Sequence, residues 1–407
     1  MQICICRIRV EEWIKISDLL FFQEGPGVRN TQYTQSGVKL LNVANLVNGK
    51  VDLSTSDRYI SEDEAYGRYK HFLCDDGDFI IASSGIKVEY FDRKMGFVDS
   101  SMLPLCMNTS TIRFKVIDSK RLNIKYFMYY LKSIHFKQQL SKFITGSAQL
   151  NFGPSHLKKM NMPLVSLKEQ NDIVEKLSKV ELLLDKYNGE IKLLDELIKA
   201  RFVEMFGDVG MGLFNYQTCK LGDVAKVGSS HRVFTTEFVE SGIPFYRGTE
   251  IGELANGKKP INPHYISEEH YKRLAEDETK PLIGDLLMPS ICNKGQVWMV
   301  DSEEPFYYKD GRVLCISPNK EVFNSRFLQY FMREKTLVEY PKIGSGSTFA
   351  EFKIFLLKDM DVLVPPLELQ NQFASFVEEI DKSRSRIQKS LEASQELFDS
   401  LMQEYFG

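Results

Sequence analysis

Cysteine is scarce in this chain, and what there is does not pair. Seven cysteines, an odd number at irregular spacing, exclude a disulfide-stapled scaffold. The one close pair, Cys4 and Cys6, has no second pair or histidine at metal-ligand spacing, so no metal site is read and the thiols are expected to be reduced and mostly buried. Histidine is equally sparse. The six present show no H-E-x-x-H or H-x-E…C-x-x-C arrangement, which removes metal-assisted hydrolysis and deamination. No apolar run reaches the roughly 18 residues of a membrane span, and MQICICRIRVEEW carries charge too early for a signal peptide. A cytoplasmic protein with no membrane partner is the expectation.

Nucleotide and acyl-transfer motifs are missing as well. There is no G-x-x-x-x-G-K-[ST] loop, no G-x-G-x-x-G after a strand and no G-x-S-x-G elbow. The glycine-rich spots at Gly25 and Gly344 are too short to cradle a phosphate. An adenine methyltransferase needs Asn or Asp before Pro-Pro and an aromatic, and the one Pro-Pro here follows Val364. No catalytic residue is assigned, and no cofactor is expected to be bound by this chain.

The chain also lacks a strong charge of either sign. A formal charge of −3 argues against a histone-like electrostatic binder. Segments differ, however. Residues 1–165 hold 22 Lys+Arg against 16 Asp+Glu, 166–210 hold 7 against 10, 211–366 hold 19 against 21, and 367–407 hold 4 against 8, so only the first segment leans basic.

What the chain does have is a repeat. At a constant offset of 200, Leu157, Lys158, Met160, Leu167, Gln170, Asn171, Glu196, Leu197, Glu204, Phe206 and Gly207 meet identical residues at Leu357, Lys358, Met360, Leu367, Gln370, Asn371, Glu396, Leu397, Glu404, Phe406 and Gly407. Upstream, QSGVKLLNVANL parallels ESGIPFYRGTEI, RYISEDEAYGRY parallels HYISEEHYKRL, and DGDFIIASSGIKVEYFD parallels IGDLLMPSICNKGQVWMVD. The offset drifts from 207 to 200. Insertions therefore sit in the domain loops and none in the segment after them.

That segment is helical with a heptad period. Ile173, Leu177, Val180, Leu184, Tyr187, Ile191, Leu194 and Ile198 alternate spacings of four and three; the second copy reads Phe373, Val377, Ile380, Arg384, Ile387, Leu391, Ser394 and Phe398, with two polar residues on the seam. Ser166 and Glu169 form a capping box at the first helix start, and Pro365-Pro366 opens the second. A helix from Leu167 to Phe206 would be roughly 60 Å long, too long for a domain core. Two such helices in one chain are expected to pair antiparallel, with the mixed domains at opposite ends of a rod.

The boundaries read as a first mixed domain over 1–165, a spacer helix over 166–207, a second mixed domain over 208–365 and a C-terminal helix over 366–407. Each mixed domain alternates short β-like runs with helical patches, an α+β pattern. The aromatic stripe from Ile124 to Phe143 is predicted to face the core.

The duplicated domain-plus-helix plan, with the junctions PLVSLKEQNDIVEKL and VPPLELQNQFASFVEEID each preceded by a Gly-Ser turn, resembles the specificity subunit of type I restriction-modification systems. The resemblance implies an α+β fold: two pseudo-repeated target-recognition domains joined by two long helices in an antiparallel coiled coil. Each domain would read one half of a bipartite, asymmetric site on double-stranded DNA, and the helices would set the half-site spacing. Half-sites read from one face of B-DNA lie about 34 Å apart. Catalysis would belong to two S-adenosylmethionine-dependent methyltransferase subunits docked on this chain. A restriction and translocation subunit using ATP with Mg would join them.

Base and phosphate contacts favour Arg, Lys, Asn, Gln and Ser on loops. The candidates in the first domain are Ser83, Ser84, Lys87, Arg93, Lys94, Ser147 and Gln149. In the second they are His231, Arg232, Arg247, Ser290, Asn293, Lys294, Gln296, Ser347 and Thr348. The helix seam is assigned to Ile173, Leu177, Val180, Leu184, Ile191 and Ile198 against Phe373, Val377, Ile380, Ile387, Leu391 and Phe398. Two alternatives stand beside this reading: a coiled-coil scaffold carrying two protein-binding domains, and a divergent methyltransferase or nuclease.

Overall fold

A computed structural model of the chain describes residues 12–142, 150–276, 279–343 and 350–407. Four helices organise it: α1 (Ile124–Lys132), α2 (Leu167–Phe206), α3 (Ser325–Ile343) and α4 (Leu367–Phe406). The chain divides into two compact units, one made of Met1–Asn188 with Lys389–Gly407 and the other of Gly189–Gln388. Each unit therefore takes in half of each long helix.

The first unit holds a four-stranded antiparallel sheet of β1 (Leu20–Glu24), β2 (Phe79–Ala82), β3 (Met95–Phe97) and β4 (Thr111–Val116), in the order β1-β4-β2-β3. Beside it, Leu105–Met107 runs parallel to Val38–Leu41, which pairs antiparallel with Tyr59–Ile60. The second unit repeats this plan with β5 (Ala225–Gly228), β6 (Leu286–Pro289), β7 (Trp298–Met299) and β8 (Val313–Pro318), in the order β5-β8-β6-β7. Its second sheet likewise has Tyr307–Tyr308 parallel to Ile243–Tyr246, which pairs antiparallel with His264–Ile266. All four residues of β6 are buried, because the strand is covered on both faces. Leu286 and Met288 enter the core shared with the helices, while Leu287 packs with Ile251, Val300 and Tyr308.

The echoed S-G of QSGV and ESGI has a backbone cause. Gly37 and Gly242 sit at φ +128° and +153°, and a Cβ would lie 2.2 Å and 2.4 Å from the carbonyl oxygens of Ile60 and Ile266. Only glycine lets this strand approach its neighbour.

α2 opens on the predicted capping box: the Ser166 backbone N donates to Glu169 Oε2 at 3.1 Å, and the Glu169 N donates to Ser166 Oγ at 3.3 Å. The repeated Gln-Asn that follows locks each long helix to its own domain. Gln170 Oε1 accepts from the Asn123 N at 2.9 Å, its Nε2 donates to the Arg121 and Val165 carbonyls, and Asn171 bonds the Asn123 side chain. Gln370 and Asn371 make the same set with Asn324, Val322 and Pro365. Both glutamines are fully buried.

The aromatic stripe faces the core as expected, with Tyr126, Phe127, Tyr129 and Tyr130 buried. The stretch is not one helix, however. Ser133 leaves helical geometry and caps a second helix, Ile134–Ser141, by accepting from the Phe136 N. The corresponding α3 has no such capping serine and runs unbroken for 19 residues.

In the first unit the start of α2 meets the end of α4, where Lys176 Nζ donates to Tyr405 Oη at 3.3 Å, and the α1 ring of Tyr126 lies 5.2 Å from Phe406 of α4. In the second the end of α2 meets the start of α4, where Phe373 lies 5.3 Å from Phe202 and 5.7 Å from Phe206. The helices thus pack together antiparallel. Ile173, Leu177, Val180, Ile198, Phe373 and Val377 are buried, whereas Leu184, Ile191, Ile380, Ile387, Leu391 and Phe398 are half-buried. The difference is physical: the terminal turns belong to domain cores, whereas among the described residues Leu184, Ile191, Ile387 and Leu391 in the middle join neither core. There the polar seam residue Arg384 finds Asp195 across the pair at 2.5 Å.

Candidate nucleic-acid interface

Each unit carries a cleft just beyond the end of its central strand, β2 or β6. The first, about 340 Å³, is lined by Val47, Asn48, Gly85, Ile86, Lys87, Tyr90, Arg93 and Lys94. Its rim is a two-residue hairpin. Leu46–Val47 pairs with Lys50–Val51 across Asn48-Gly49, whose φ values of 49° and 79° are those of a type I′ turn. The Gly49 N donates to the Arg93 carbonyl at 3.2 Å, tying this turn to the segment Val88–Arg93. Arg93 lies 5.1 Å over the exposed Tyr90 ring, and Lys94 Nζ donates to the Val43 carbonyl at 3.4 Å. Among the described residues no acidic side chain lines the cleft, so Lys87, Arg93 and Lys94 present unneutralised positive charge beside an aromatic face.

The second cleft, about 540 Å³, is lined by Arg247, Gly248, Thr249, Pro289, Ser290, Ile291, Asn293, Gln296, Lys309 and Arg312. Its arginines are paired. Arg247 Nη2 lies 2.7 Å from Glu250 Oε1, while its Nε and its backbone N both donate to Oε2. Burial pushes the Glu250 carboxyl up, but these hydrogen bonds and the guanidinium charge hold it below the usual carboxylate range. Arg312 pairs with Glu351, which also holds Lys353 at 2.7 Å. The Lys353 hydrogen bond and the Arg312 charge depress that carboxyl in turn.

The candidate residues divide by position. Lys87, Arg93 and Lys94 share the first cleft; Arg247, Ser290, Asn293 and Gln296 share the second. Ser83 and Ser290 are buried and hold the sheet to later loops: each donates its N to a carbonyl, of Ser110 or Arg312, and accepts from the N of Phe152 or Phe352. Ser84 Oγ bonds Ser110 Oγ at 2.7 Å. Lys294 is exposed, with its backbone N on Gln296 Oε1. The His231 N donates to Tyr307 Oη, and Arg232 covers the Phe234 ring. Ser147, Gln149, Ser347 and Thr348 lie outside the described residues. Sequence reasoning missed Asn48, Lys309 and Arg312. Asn-Gly at 48–49 and K-D-G-R at 309–312 were legible as turns, but not as walls of the same clefts.

The family model for the type I restriction modification DNA specificity domain matches the chain twice, over residues 12–194 and 215–395. The chain belongs to the type I restriction-modification specificity family.

Curated relatives agree with that assignment. The chain is 24% identical over 282 residues to a putative type I restriction enzyme specificity subunit of Haemophilus influenzae, covering 68% of this chain and 69% of that protein. It is 26% identical over 297 residues to a putative type I restriction enzyme specificity subunit of Methanocaldococcus jannaschii, covering 65% of this chain and 64% of that one. The crystal structure of the type I restriction-modification S subunit from M. genitalium aligns over 97% of this chain and 96% of that chain, with a TM-score of 0.57 at 16% identity. The fold is shared at that distance. Each specificity domain of this chain thus carries a cleft beyond its central strand, the two with different walls, and no helix among the described residues is long and apolar enough to cross a membrane.

Proposed function

We propose that this chain is the DNA-specificity subunit of a type I restriction-modification complex, each domain reading one half of a bipartite, asymmetric site on double-stranded DNA. The observation that carries the reading is the pair of clefts. Each opens just beyond the central strand of its domain, yet one is lined by Lys87, Arg93 and Lys94 and the other by Arg247, Asn293, Gln296 and Arg312. A duplicated scaffold with divergent walls suits two different half-sites, and side chains with several donors suit base edges and phosphates.

In this reading α2 and α4 set the half-site spacing and dock two methyltransferase subunits. Those subunits supply S-adenosylmethionine and flip the target adenine; a restriction subunit using ATP with Mg joins for cleavage. This chain performs no chemistry itself and works from the cytoplasm. Deleting its gene and mapping adenine methylation across the genome tests the proposal. Loss of one interrupted, asymmetric motif supports it, and retention of every motif in an otherwise active system sinks it.

A further inference from the structure

The two clefts differ in more than composition. Lys87, Arg93 and Lys94 have no carboxylate within ion-pair distance among the described residues, whereas Arg247 and Arg312 each have one. A guanidinium already paired with a carboxylate brings little net charge to a phosphate. Its remaining donors keep their geometry, so it suits a base edge better than the backbone.

Arg247 meets this description most fully. Its Nε and Nη2 both bond Glu250, a side chain only 7% exposed, while Arg247 itself stays 46% exposed and lines the cleft. Glu250 is fixed in turn by the Arg247 backbone N and by its place in the first turn of the helix Gly248–Ala255. Of the five donors on a guanidinium, the pair occupies two and leaves the outer edge, with both Nη1 hydrogens and one Nη2 hydrogen, in a fixed plane. Two parallel donors in a fixed plane match guanine O6 and N7 in the major groove, the commonest specific contact of arginine with DNA. The first domain shows the contrast. Asn42 occupies the corresponding place, with its backbone N on Asn45 Oδ1, but its side chain is buried and accepts from Asn108 Nδ2 at 2.8 Å. The same backbone motif is thus closed off in one domain and armed in the other.

We propose that Arg247 is the specificity-determining residue that reads a guanine in the half-site of the second domain, and that Glu250 is the positioning residue that holds its plane. This rests on the function proposed above. The test uses the complete complex, with this chain expressed beside its methyltransferase partners in cells lacking the native gene, and adenine methylation mapped across the genome. If the wild-type chain restores no bipartite motif, the functional reading itself fails. If it does, R247A is expected to lose about ten- to a hundredfold of its discrimination at one G·C position of one half-site, leaving the other half-site intact. R247K, which keeps the charge without the fork, should not restore that position. E250Q should relax the same position by a smaller factor. Uniform weakening across all positions by R247A, relaxation at an A·T position, recovery by R247K, or an unchanged motif would each overturn the assignment.

Discussion

Asp78 and Arg113 form an ion pair of 3.1 Å with side chains 3% and 6% exposed, and the strand position that supplies Arg113 holds Cys315 beside the equivalent carboxylate of the second domain, Asp285. Arg113 pairs with Ile80 on the neighbouring strand, and Cys315 pairs with Leu287 at the same register. The thiol of Cys315 stands 3.9 Å from Asp285 Oδ2, and burial pushes that thiol up to about 12. One scaffold position is thus a cation in one domain and a neutral thiol in the other.

Removing Arg113 should therefore be costly. It also donates to the Leu73 and His71 carbonyls and to Gln23, so Arg113→Ala leaves several acceptors unpaired and strips a buried acid of its closest cation, with only Lys115 at 3.4 Å and the Asp75 N still on it. A loss of about 3–5 kcal/mol is expected. Hydrogen-exchange protection of Phe79–Ala82 and Thr111–Val116 measures it, and protection within about 1 kcal/mol of wild type would contradict the prediction.

Asp285 should behave in the opposite sense. Burial raises its folded-state pKa above the unfolded value. Its contribution to stability is then fully present below the unfolded pKa and lost as pH rises through the folded one. Asp285→Asn keeps an acceptor for the Leu282 N and removes the titration. The variant is expected to equal the wild type in acid and exceed it near neutral pH. Exchange protection of β6 from about pH 3 to 7 checks this, and parallel curves for the two proteins would refute it.

Gln170 and Gln370 should be equivalent in energy as they are in geometry. Each truncation to Ala leaves one backbone N–H and two carbonyls without their partner in a site closed to water, costing about 1–3 kcal/mol or more. Denaturation of Gln170→Ala and Gln370→Ala should give losses within roughly 1 kcal/mol of each other, each in its own unit. A large asymmetry would show that the repeated bonds do not carry equal weight.

The first cleft should dominate the salt response. Replacing Lys87, Arg93 and Lys94 by Gln is expected to lower the salt slope of DNA binding by about 0.9 for every phosphate these side chains neutralise. Affinity should fall across all sequences. Measuring affinity of the complex against salt concentration decides the matter. An unchanged slope would place the phosphate-binding side chains elsewhere.

Some of this was open in the sequence because it rests on local rules. The heptad spacing from Ile173 to Ile198 and the Ser166–Glu169 box fix helix type and start through neighbours within a few residues. The gapless offset of 200 required two helices of one length, found as 40 residues each. The identity of Gln170-Asn171 with Gln370-Asn371 marked a constraint without revealing it. The partners Asn123 and Asn324 lie 47 and 46 residues away, and only folding brings them to the helix start.

Sequence alone therefore determined the duplication, the helices and the mixed character of each domain, since periodicity and capping act over short stretches of chain. Tertiary structure decided what those elements surround. It tied the Asn48-Gly49 turn to Arg93 through the Gly49 N, closed Asn42 with Asn108 while leaving Arg247 open on Glu250, and gave Asp78 an arginine where Asp285 has a thiol. Such relations join residues from separate loops and strands, and no local rule carries the distance between them.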